Sequence, residues 1–153
     1  MNEGSSLKTE HYAINDQACP IELSAVGVLV NYEAGSGYTG KYSFRAKGVF
    51  SVSSEVQAAS IVHILYDPFG EHIKSLRDLI IKDITGTMQL DHNSSWYATP
   101  NQAMEFMTSV SFVESVRLKD GTVWKYSDEG LNLELKKVKL SFLKSYLDEK
   151  GSE

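Results

Sequence analysis

The sequence predicts a mainly β domain, an antiparallel sandwich with a short C-terminal helical segment. Three stretches carry that expectation. Residues Ile61 to Tyr66 are apolar on both alternating faces and run into Asp67-Pro68-Phe69-Gly70, so they read as a central strand closed by a tight type I turn. Residues 41–52 alternate cleanly: Tyr42, Phe44, Ala46, Gly48, Phe50 and Val52 fall on one face, while Lys41, Ser43, Arg45, Lys47 and Ser51 fall on the other. That is a strand with one dry and one wet side. From Ser127 the period changes, and Leu131, Leu135, Val138 and Phe142 recur at helical spacing behind Asp128-Glu129, an acidic pair that suits a helix N-terminus.

In chain order, residues 1–10 are mostly polar or small and read as a flexible N-terminus. His11 to Ile14 make a short first strand, stopped by Asn15-Asp16. After Pro20, Ile21, Leu23 and Ala25 share one face, and Val26, Val28, Val30 and Tyr32 share another. The change of face at Gly27 predicts a bulge or a crossing between sheets. Glu33 to Gly37 form a hairpin loop. The central strand spans residues 56–66, and in its turn Asp67 offers its carboxylate to backbone N–H groups, so no chemistry is needed to explain it. Leu79–Ile84 and Thr87–Leu90 are read as strands because they are rich in β-branched residues, although Ile73, Leu76, Ile80 and Ile84 also fit a rival helix over 72–83. Trp96-Tyr97 open a short strand that Pro100-Asn101 ends.

A long strand follows, with Phe106, Thr108, Val110, Phe112, Val116 and Leu118 assigned to one face. Its hairpin has two possible registers. A three-residue loop, Lys119-Asp120-Gly121 with Gly121 left-handed, pairs Val116 with Trp124 and turns the indole inward, which favours it over a two-residue loop. The sandwich is therefore expected over residues 11–127. Residues 128–150 are read as one or two short helices packed across an end or edge of the sheets, though a period-two reading of Leu131, Leu133 and Leu135 stays open.

Composition bounds the function. At 153 residues the chain is one domain's worth. A formal charge of -5, with Lys and Arg scattered until the last twenty residues, argues against a nucleic-acid partner. Cys19 is the only cysteine, so no disulfide forms within the chain, and nothing near it in sequence would activate the thiol. No apolar run approaches the ~18 to 20 residues of a membrane span, and no basic-then-apolar leader is present. The chain as written is expected in the cytoplasm, or outside it if a signal peptide has been removed.

Short strands with turn signals about 8 to 12 residues apart and a Trp in a late hairpin describe an immunoglobulin-like or fibronectin type III-like sandwich. More narrowly, His63-Ile64-Leu65-Tyr66-Asp67 followed by Pro68-Phe69-Gly70 resembles the signature of the FxLYD-type bacterial domain, a fibronectin type III-like sandwich. The likeness rests on Leu65, Tyr66 and Asp67, departs at His63 where the family has Phe, and extends over residues 20–126. It implies a module for presentation or contact, with no catalytic residues and no cofactor.

Candidate sites are few. Asp67, Glu71 and His72 could offer carboxylate and imidazole ligands to a metal at the turn. His63, inside an apolar strand, is expected as a core histidine with one hydrogen bond. Asp91, His92, Ser94 and Ser95 contain the residue types of a hydrolytic triad, but a polar loop accounts for them. Phe69, Trp96, Tyr97 and Tyr38 fall at loops or strand ends and could contact a partner, or a glycan through Trp96 and Tyr97. The preferred reading is a non-catalytic module whose loops or sheet edge bind another protein. A small metal-dependent or hydrolytic protein and a glycan-binding module are the alternatives.

Overall fold

The computed structural model describes residues 9–35, 40–90 and 95–151, with side chains through residue 143. In chain order its elements are β1 (Glu10–Ile14), β2 (Ile21–Leu23), β3 (Gly27–Glu33), β4 (Lys41–Lys47), β5 (Val49–Val52), β6 (Val56–Tyr66), β7 (His72–Ile84), β8 (Thr87–Gln89), β9 (Ser95–Ala98), α1 (Pro100–Glu105), β10 (Thr108–Leu118), β11 (Val123–Lys125) and α2 (Asp128–Gly151). The chain is mainly β, built from several sheets whose inner faces share a core, with a helix at its C-terminal end.

The first layer is five-stranded, in the order β1-β10-β6-β7 with β11 also beside β10. Its pairs are antiparallel except one: β1 runs parallel to β10, from Glu10↔Thr108 to Ile14↔Phe112. The opposite layer consists of two three-stranded sheets, β2-β5-β8 and β3-β4-β9. The face change expected at Gly27 is a crossing, since β2 and β3 belong to different sheets. The single strand expected over 41–52 is instead two strands, and the chain changes sheet between them. Gly48 permits this because the strands approach closely there: a Cβ at this position would lie 2.6 Å from Ala25 O and from Val26 Cα. The alternation survives the break, so Phe44, Ala46 and Phe50 are all buried.

Two hairpins of the first layer use the same loop. At Asp67-Pro68-Phe69-Gly70, Gly70 N donates to Asp67 O at 3.1 Å and Asp67 N to Glu71 O at 3.0 Å. At the β10–β11 turn, Gly121 N donates to Leu118 O at 2.9 Å, Leu118 N donates to Thr122 O at 2.8 Å, and Gly121 has φ +91°. This is the three-residue register, and it pairs Val116 with Trp124 and packs the indole against the core.

Three expectations are corrected. The strand expected over Leu79–Ile84 forms in preference to the rival helix, but it begins at His72 and runs 13 residues. Pro100-Asn101 do not merely end a strand: they begin α1, where the Thr99 side chain accepts from Gln102 N at 3.1 Å and Gln102 Oε1 accepts from Thr99 N at 3.0 Å. This is a capping box with Pro in the first turn. In β10 the single apolar face fails, because a register shift between Val113 and Ser115 moves the later residues across. Val110 and Phe112 therefore lie on the outer side, while Val113 and Val116 lie in the inner core.

The inner core joins Ile21, Phe50, Ile61, Ile80 and Val116 at one level and Val28, Phe44, Leu65, Leu76 and Phe106 at the next. A third cluster sits on the outer face of the first layer, where Leu131, Leu135, Val138, Phe142 and Leu143 of α2 cover Ile14, Val62, Ile64, Val110 and Phe112. The C-terminal segment is thus a single helix of 24 residues laid across a sheet face, not one or two short helices at an end or edge. The reason is that β6 and β10 are apolar outward as well as inward, and only an amphipathic element can bury the second side.

Candidate functional site

At the turn considered for a metal, the Asp67 carboxylate serves the hairpin backbone. Asp67 Oδ1 accepts from Phe69 N and Glu71 N, both at 2.9 Å, which ties the carboxylate into the hairpin. His72 Nε2 lies 2.8 Å from Ser75 Oγ and its ring packs edge-on against Tyr66. Among the described residues no group of three His, Cys, Asp or Glu side chains assembles around a common point. Asp67, Glu71 and His72 are therefore near one another in the chain but do not converge.

Neighbouring positions in a strand point to opposite faces, and that separates the aromatic pair. Trp96 turns inward, packing on both halves of the core with its ring edge-on to His63 at 6.1 Å. Tyr97 turns outward and is exposed, with Lys74 Nζ donating to Tyr97 O at 2.5 Å across the open side of the sandwich. No shared platform results. Phe69 is 74% exposed at the tip of its hairpin. Tyr38, Asp91, His92 and Ser94 lie outside the described residues.

The core histidine with one hydrogen bond expected at His63 is present, and it belongs to a polar seam whose other members sequence reasoning missed. His63 Nδ1 and Ser111 Oγ lie 2.7 Å apart on paired positions of β6 and β10, both fully buried. On the other side of β10, His11 Nδ1 and Ser109 Oγ lie 2.6 Å apart on paired positions of β1 and β10. Burial disfavours the charged imidazole, so it pushes the pKa of His63 down to about 4 and lowers that of His11. Asp78 is buried on the same inner face. His63 and Ser111 are closed off by core side chains and give a substrate no approach, whereas His11 stands at the exposed end of the seam and lines an open depression with Ala13, Ser24 and Gly27. Cys19, half-buried, has its thiol pushed up to about 11 mainly by the same desolvation, which leaves it unreactive.

The accessible feature is β7. This 13-residue strand pairs only with β6 among the described residues, so its other edge is free. Leu76, Asp78 and Ile80 point inward, while Leu79 and Ile81 point outward and are 62% and 75% exposed. Among the described residues the cluster beneath α2 includes no β7 side chain, so none of the described helix side chains covers this strip. Lys74, Arg77 and Lys82 flank it. A row of unpaired backbone groups beside exposed apolar side chains is what strand addition requires.

No protein-family model, curated protein or solved structure matches this chain.

Proposed function

We propose that this domain is a non-catalytic contact module that receives an extended segment of a partner protein along the free edge of β7. The observation that carries it is a long unpaired edge with Leu79 and Ile81 exposed on its outer face. Soluble proteins ordinarily shorten, cover or bend such edges. The partner segment that fits is a strand with apolar residues at alternate positions to lie beside Leu79 and Ile81, and with acidic residues to meet Lys74 and Lys82. Backbone hydrogen bonds supply affinity in this mode, and the alternate side chains supply selectivity. The likeness to FxLYD-type and other fibronectin type III-like domains supports the same class of role through Leu65, Tyr66 and Asp67. In this chain those residues also serve the fold, as core, helix contact and turn.

The test is selection of peptides from a random displayed library against the wild-type chain, with a Leu79→Lys/Ile81→Lys double variant for counter-selection. The expected peptides are acidic with alternating apolar residues, lose at least tenfold in affinity for the variant, and slow amide exchange in residues 73–83. Peptides that bind the variant equally, or that protect amides elsewhere, would overturn the assignment of the edge.

A further inference from the structure

We propose that the break in the second layer is a binding site for a small ligand carrying an oxyanion, held by Arg45 and Lys47. This site is independent of the β7 edge and lies on the outer face of the opposite layer. Arg45 and Lys47 are two residues apart on β4, so both project from its wet face. Just beyond them the chain passes through Gly48 into β5, and the offset between the two half-sheets opens a depression of about 530 Å³. Its lining is completed by Val49, Gln89 and Leu90. The volume is that of a small-molecule site, with an apolar wall and few polar groups.

Among the described residues neither Arg45 nor Lys47 forms an ion pair, and Arg45 Nε is buried with no hydrogen-bond partner. Nε itself is shut off from the depression, so it is the rest of the Arg45 side chain, which lines the depression, that is available to an acceptor. A guanidinium presents a planar fork that matches two oxygens of a carboxylate or phosphate, and the neighbouring ammonium adds charge without directional demand. The Gln89 side chain, beside them, can donate to or accept from the rest of the ligand. The chain as a whole carries -5, so a pair of cations at a cavity departs from its background.

The experiment is a titration of the isotope-labelled chain with inorganic phosphate and, separately, with acetate, each compared with chloride at equal ionic strength and followed by amide shifts. Saturable shifts confined to residues 45–49 and 89–90 are expected. Saturation by phosphate alone assigns a tetrahedral oxyanion, and saturation by acetate alone assigns a planar one. Arg45→Gln should weaken binding about tenfold, and Arg45→Lys, which keeps the charge and loses the fork, should fall between that and wild type. If Arg45→Gln does not fold, the exposed Lys47→Gln carries the test, with a several-fold loss expected. Failure of both oxyanions to saturate, or wild-type binding by the substituted chains, would overturn the proposal.

Discussion

Along β6 and β10 the two faces of the five-stranded sheet are both buried, yet they are held by different physics. Outward, Ile14, Val62, Val110 and Phe112 meet Phe142 and its neighbours on α2 in a purely apolar contact. Inward, the same strands place Ser109, Ser111, His63 and Asp78 among the aliphatic side chains of the core. Apolar contact is roughly proportional to area and tolerates small displacements. The serine–histidine pairs do not. His11 and Ser109, and His63 and Ser111, meet only because they are register partners, and a slip of one residue would turn each away from the other. The outer face therefore contributes bulk stability, and the inner seam contributes register.

The largest expected effect breaks the outer face. Phe142→Ala removes the most deeply buried of the described α2 side chains and should cost about 3 to 5 kcal/mol in denaturant unfolding, with protection lost along the helix before the sheet. Loss of protection in the sheet first would show that α2 is not the weaker layer. Acid probes the inner seam. The pKa of His63 falls from 6.5 unfolded to about 4 folded, so the stability present above pH 6.5 should decline as pH drops through that window. The total loss is on the order of 3 kcal/mol. His63→Gln, which cannot protonate, should flatten that slope in pH-dependent unfolding, and an unchanged slope would shift the cause to other groups. Ser111→Ala leaves His63 Nδ1 without its partner and should cost about 1 to 3 kcal/mol, more than the same change at an exposed serine. Smallest is Thr99→Ala, about 1 kcal/mol from the lost cap of α1, measured by thermal unfolding.

Much of this was legible in the residues. The Asp67 turn, the Gly121 register and the helical spacing of Leu131, Leu135, Val138 and Phe142 each follow from local chemistry and were read correctly. The signal for α1 was also present, as Thr99-Pro100 followed by Gln102, but the proline was read only as a terminator. Other features leave no local trace. Alternation continues unbroken from Tyr42 to Val52, so the change of sheet at Gly48 depends on how closely Ala25 and Val26 approach from another strand. Ser109 and Ser111 look like a wet face because serines usually are, and only the histidines of neighbouring strands make them a dry one. For the candidate sites, alternation alone should have separated Trp96 from Tyr97. The wet-face placement of Arg45 and Lys47 was evident, but the depression between them and Gln89 needed the third dimension.

The parallel pairing of β1 with β10 also sets a timetable. His11 and Ser109 are 98 residues apart in sequence, whereas β6 and β7 are joined by a tight turn. Loop closure over that span comes late, so the hairpins form early and β1 docks near the end. During synthesis β1 emerges well ahead of the strand it needs and must wait, unpaired, until β10 has left the ribosome. A chaperone that guards this chain would find its work at a segment made before its partner and folded after it.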